Sequence, residues 1–143
     1  CTNLLFGLRE SIKILEEEGL DNVFARHDRF AEATRRAVKA WGLEVLCEEP
    51  LEYSSVLTTV MMPEGKGADN LRKVILDNFN MSLGNGLSKV ADKVFRIGHL
   101  GDLSDLTLIG TLAGVEMGLE LAKVDHTKGG VAAAMEYLIE KAI

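Results

Sequence analysis

The chain has 143 residues, 47% hydrophobic and 27% charged, which supplies the core of one domain and carries no mark of disorder. A formal charge of −6 without any dense Lys/Arg block excludes a nucleic-acid surface; the one basic cluster, Arg35, Arg36 and Lys39, reads as a solvated helix face. No apolar run approaches the ~20 residues of a bilayer crossing and no secretion signal is legible, so no membrane partner and a cytoplasmic setting are expected.

From Asn3 to Glu18, Leu4, Leu5, Leu8, Ile12 and Leu15 recur at helical spacing, and Gly19 suits the left-handed residue beyond a helix end. Asp21 can cap a second helix running towards Trp41 and Gly42, which predicts two antiparallel helices over residues 1–42. That helix presents Leu20, Phe24, His27, Ala31, Thr34, Val38 and Trp41 on one stripe, with Arg29, Glu32, Arg35, Arg36 and Lys39 elsewhere. Leu43–Cys47 and Val56–Met62 read as strands, and PEGKGAD as a loop. Leu71, Val74, Ile75 and Phe79 mark a third helix. Met81–Leu83 reads as a short strand, Gly84-Asn85-Gly86 as a tight turn, and Lys93–His99 as a further strand. Asp102 or Ser104 can cap a fourth helix through Lys123, with Leu108, Leu112, Val115, Leu119 and Ala122 on one face. Gly110, Gly114 and Gly118 lie on another. Each interior glycine is about 1 kcal/mol worse than alanine in a helix, so three at this spacing predict a tightly packed neighbour. Gly129-Gly130 precedes a last helix, Val131–Ala142. The order implies an α+β fold: a small, mostly antiparallel sheet of three to four strands covered by helices over residues 43–143, entered from the long helix pair.

One residue stands out chemically. Arg96, flanked by Val94, Phe95 and Ile97, places a permanent positive charge in a strand that otherwise reads as buried. The run stops at Gly98 and Gly101, so the fork is expected where the strand turns into a loop. A guanidinium pairs with carboxylate or phosphate through two parallel hydrogen bonds. The strand alone is equally compatible with a structural ion pair to one of the 22 acidic residues.

Little else points to chemistry. His27 lies on an apolar stripe and reads as packed or capped, His99 as a contact or local structural residue near the anion site, and His126 as a solvated loop residue. No metal-ligand spacing, phosphate-loop fingerprint or nucleophile elbow is present. No lysine sits in an apolar context that would lower its pKa. Cys1 and Cys47 are too few for a disulfide framework or a metal cage, and Cys47 reads as a small filler in its strand. A chain opening on Cys1, directly on an apolar helical pattern, is expected to be a piece of something longer.

TNLLFGLRES at 2–11, EEGLDNVFARH at 17–27 and KVFRIGHLGDLSDL at 93–106 resemble the C-terminal part of class V aminotransferases, nearest to the serine–glyoxylate and alanine–glyoxylate group. VMMPEG at 60–65 and GGVAAAMEYL at 129–138 extend the likeness along the chain. The resemblance implies one small domain over residues 1–143 of a fold-type I pyridoxal 5'-phosphate enzyme. That enzyme would be a homodimer acting on small amino acids and 2-oxo acids. It implies that Arg96, the arginine of RIG, grips the substrate carboxylate. It also implies that the imine-forming lysine and the cofactor ligands lie upstream, so no catalytic or cofactor-binding residue carries over and the piece alone is inert. A non-catalytic module that binds a carboxylate effector or mediates dimerisation stays open as an alternative. A cysteine desulfurase is a further one, for which Cys47 in a strand is a poor nucleophile.

Overall fold

The computed structural model describes residues 1–142; Ile143, the last residue of the expected 43–143 unit, lies outside them. Five α-helices and a three-stranded antiparallel sheet are present among the described residues, an α+β arrangement with an N-terminal helix pair, as expected. The helices are α1 (Thr2–Glu18), α2 (Leu20–Ala40), α3 (Ala68–Phe79), α4 (Asp105–Leu121) and α5 (Gly130–Glu140); the strands are β1 (Leu57–Met61), β2 (Gly84–Asn85) and β3 (Val94–Gly98), in the order β1-β3-β2. No described helix is long and apolar enough to cross a membrane.

The core lies between one face of the sheet and the helices. Val60 of β1 and Phe95 and Ile97 of β3 meet Phe30, Val38 and Trp41 from α2 and its end, Leu71 and Ile75 from α3, and Leu112, Val115 and Leu119 from α4. The α4 glycines are explained by this packing, though the close neighbours are side chains rather than backbone. A Cβ at Gly114 would overlap the Met81 thioether and one at Gly118 would overlap Ile75, while Gly110 faces open space.

Several expected details are different. α1 buries none of its residues, and its link to α2 is the single residue Gly19, so the two helices form no packed antiparallel hairpin. Asp21 falls inside the first turn of α2 and makes no cap. Leu20 and Phe24 are exposed, whereas Val23, Phe30 and Ala37 share the buried face with His27, Thr34 and Val38. Leu43–Cys47 is reduced to one bridge, Val45 to Val60, because the chain leaves the edge of β1 after Leu46. Met81–Leu83 is not a strand. The expected turn at Gly84 and Asn85 is instead β2 itself, paired to β3. Ser104, of the two candidates, caps α4 through the Thr107 amide.

Two acid–base fixtures tie the helices together, and neither was visible in the sequence. Arg29, read as a surface residue, is buried; its Nη1 and Nη2 donate to the two carboxylate oxygens of Asp105 at 2.6 and 2.8 Å, and Nη2 also donates to the Leu138 carbonyl at 2.9 Å. One fork thus joins α2 to the start of α4 and the end of α5. Glu116 of α4 accepts from the Trp41 indole at 2.8 Å and from the Gly129 and Val131 amides at 2.9 and 3.0 Å, capping α5. A side chain at Gly130 would run into that indole. Burial by itself raises the Glu116 pKa, but the three hydrogen bonds outweigh it and hold the carboxylate below its ordinary value of 4.5.

Glu116→Ala is expected to destabilise the fold by about 2–3 kcal/mol in urea unfolding, because it leaves a buried indole N–H and two helix-start amides without an acceptor. In the wild type this contribution is present above pH 4.5 and fades as pH falls through the lower folded-state value. The variant's unfolding midpoint should therefore converge on the wild type's in acid.

Candidate functional site

β3 is the central strand, and its alternation fixes where the arginine goes. Phe95 and Ile97 are fully buried against the helices, so Arg96 faces the other way. It sits in mid-strand rather than at the strand end, with Thr59 of β1 opposite on one side and Gly84 of β2 on the other. This second face is less evenly covered: Leu57, Thr59, Met61 and Arg96 are half-buried where Thr58 and Val60 are buried, although Val94, on the Arg96 side, is buried as well.

Arg96 takes no ion-pair partner among the described residues. Its Nε is buried and has no hydrogen-bond acceptor. The same is true of Arg29 Nε, so what sets Arg96 apart is that its terminal nitrogens have no acid partner among the described residues. Five of the other arginines have an acid partner, and Arg9 instead lies over the Phe6 ring. Arg26 and Arg29 are locked bidentately to Glu18 and Asp105, Arg35 and Arg36 are held by Glu32, and Arg72 by Asp69.

The side chain of Arg96 lies over β2. A Cβ placed on Gly84 would stand 3.0 Å from Arg96 Cβ, 3.0 Å from Nε and 3.5 Å from Cζ. Two surface grooves of about 490 and 470 Å³ lie elsewhere, one along Glu32, Arg35, Tyr53 and Cys47, the other along Phe79, Met117 and His126. Neither includes Arg96. The guanidinium occupies an open sheet face, not a closed cavity.

The three histidines take structural places. His27 is buried; its Nε2 accepts from the Gly101 amide at 3.1 Å, so Nδ1–H donates to the Val23 carbonyl at 2.7 Å. It pins α2 to the loop between β3 and α4, in keeping with its reading as a packed side chain. His99 does not share the face of Arg96: three residues further on, just past the end of β3, it lies on the helix side and is fully buried. Its Nδ1–H donates to the Ser55 carbonyl at 3.2 Å and Nε2 accepts from the Thr58 hydroxyl at 3.0 Å. Burial pushes its pKa down to about 4, so it is neutral. His126 is half-buried rather than solvated, with Nδ1 on the Val124 carbonyl at 2.8 Å. Cys47 sits in a loop, its thiol 3.5 Å from the Glu49 carbonyl.

Arg96 was legible from sequence as a charge in an apolar strand. Gly84 was not, because a Gly-Asn-Gly string signals a turn more strongly than a two-residue edge strand, and only the register against Arg96 reveals its part.

No family model matches the chain. It is 51% identical over 138 residues to the serine–glyoxylate aminotransferase of Methylorubrum extorquens, covering 96% of this chain and 34% of that protein. Over 136 residues it is 47% identical to the serine–glyoxylate aminotransferase of Arabidopsis thaliana, covering 94% and 34%. Among solved structures, the ureidoglycine–glyoxylate aminotransferase of Bacillus subtilis matches with a TM-score of 0.88 at 28% identity, covering 94% of this chain and 35% of that one. The chain thus spans about a third of the length of these relatives.

The neutral, buried His99 makes a testable demand on stability. Below pH 6.5 the unfolded chain takes up a proton on this residue that the folded chain refuses until about pH 4. Folding should therefore weaken over that window by roughly 3 kcal/mol. Thermal unfolding of a His99→Gln variant, already less stable at pH 7.5, should show a flatter decline between pH 6.5 and 4.5 than the wild type.

Proposed function

The chain belongs to the class V aminotransferases, in the group of the serine–glyoxylate enzymes, and from that premise we propose that it is the small, carboxylate-gripping domain of a longer enzyme. That enzyme moves an amino group from serine or alanine to glyoxylate and works as a homodimer. The observation that carries this reading is the guanidinium of Arg96, half-buried in the central strand with no acid partner among the described residues.

In this role the two terminal nitrogens, or Nε and one of them, donate to the two oxygens of the substrate α-carboxylate. The planar fork fixes the direction of the substrate as well as its distance, so that the Cα is presented in one orientation to the reacting group. Serine, alanine and glyoxylate share only this carboxylate and a reacting carbon next to it. One clamp therefore serves both halves of an amino-group exchange.

The cofactor implied by the family, pyridoxal 5'-phosphate, does not fit the residues present. Eight of the nine lysines are exposed, and the half-buried Lys66 spends its ammonium on the Lys123 carbonyl at 2.7 Å, so none is desolvated into a nucleophile. We assign the cofactor and its electron-sink chemistry to protein outside this chain. The apolar residues of α1 agree with such a neighbour: Leu4, Leu5 and Leu8 are all more than half exposed, and nothing among the described residues covers them.

Arg96→Ala in the intact enzyme should remove about 2–4 kcal/mol of transition-state stabilisation, read as kcat/KM for serine and for alanine with glyoxylate as acceptor. Arg96→Lys should recover only part of it, since a point charge lacks the fork. Wild-type kinetics in both variants would exclude the role. The 143-residue chain by itself should show no amino transfer.

A further inference from the structure

Every other close-packed glycine in the chain has its Cβ space taken by structural groups. Apolar side chains fill it at Gly114 and Gly118, the indole of Trp41 at Gly130, the Asp92 carboxylate at Gly67, and the Val90 backbone with Val94 at Gly86. At Gly84 the three nearest atoms all belong to Arg96. The backbone there does not need a glycine, because Gly84 lies outside the positive-φ residues of the chain. Space is the remaining reason. The missing side chain lets the arginine bend across the edge strand instead of standing upright from the sheet, and lets β2 approach the Arg96 stem to within 3.0 Å of where a Cβ would be.

We propose that Gly84 is a positioning residue for the carboxylate clamp: the flat floor it makes on β2 sets the direction in which the Arg96 fork presents its N–H groups. This rests on the reading of Arg96 as the carboxylate grip. It adds that the grip's orientation is dictated by the neighbouring strand rather than by a partner acid. Most side chains that act as clamps are aimed by a second hydrogen-bonded group. Arg96 has none, and steric contact with β2 takes that place. A methyl group at position 84 would push the Arg96 side chain away by a few tenths of an ångström and tilt its plane. A misplacement of about 1 Å is worth up to about 100-fold in a reaction that depends on alignment, and a few tenths correspondingly less.

The test uses the intact enzyme with serine and glyoxylate, comparing wild type, Gly84→Ala, Arg96→Ala and the double variant, with Asn85→Ala as a control on the same strand. Asn85 pairs with Phe95 rather than Arg96. The expected result is a rise of about 3- to 10-fold in the KM for serine in Gly84→Ala, with the thermal midpoint close to wild type and Asn85→Ala unchanged. In the Arg96→Ala background, Gly84→Ala should then change kcat/KM less than about twofold, because the residue it positions is gone. Additive losses in the double variant, or an unaltered KM in Gly84→Ala, would overturn the proposal. If Gly84→Ala fails to fold, pairing it with Arg96→Gly, which removes the Cβ contact as well, settles the cause: a double that folds localises the clash to the Arg96 side chain and supports the proposal, and one that also fails overturns it. An Arg96→Ala enzyme with full activity is a different result: it removes the carboxylate role itself, whatever Gly84 does.

Discussion

The phase of β3 is the constraint on which the site depends. Phe95 and Ile97 are locked into the core between the sheet and α2, α3 and α4, and a strand alternates with period two. Arg96 therefore has no choice of face. Slipping the register by one residue would bury the guanidinium and expose two large apolar side chains, a cost comparable to the whole stability of a small domain. The hydrophobic contacts that fold the chain are thus the same ones that aim its charge, and precision at Arg96 is inherited from the packing behind it.

That packing is reinforced by polar fixtures that span elements. Arg29 reaches from α2 to the Asp105 carboxylate and the Leu138 carbonyl, Glu116 from α4 to Trp41 and the start of α5, and His27 from α2 to the Gly101 amide. Each satisfies groups at a helix end or loop that would otherwise be buried without partners. The Arg29 hydrogen bonds hold Asp105 below the usual carboxylate range, which marks the pair as favourable in spite of its partial burial. Such fixtures favour one arrangement of helices over near alternatives, which apolar contacts alone specify less sharply.

Long periodic elements were legible in the sequence: α1, α2 and α4 follow from apolar spacing, and the β1 and β3 segments from β-branched runs between turn residues. The short or context-made features were not. Val45 pairs only because β1 offers an edge, β2 exists only because β3 does, and neither has a local signal of its own. The buried face of α2 was misphased at Leu20 and Phe24, because hydrophobicity identifies residues that can be buried without saying what there is to bury them against. Arg29 was misread for the opposite reason, since a charge buried by a tertiary partner looks like a surface charge until the partner is known. At the site, the charge at 96 was visible and its floor at 84 was not.

Arg96 in β3 and His99 just beyond its end show two basic side chains handled by different physics. A guanidinium cannot shed its proton within any ordinary pH range, so it can be left without a protein acid only on a face where something else supplies the counter-charge. An imidazole can shed its proton, and burial on the core face makes it do so, with hydrogen bonds to Ser55 and Thr58 satisfying both nitrogens of the neutral ring. The consequence is that the sheet presents one fixed positive charge to its open face at neutral pH, and that this charge does not change as the solution is acidified towards pH 5. His99 itself adds no pH dependence to carboxylate binding in that range, since it is neutral and turned to the other side.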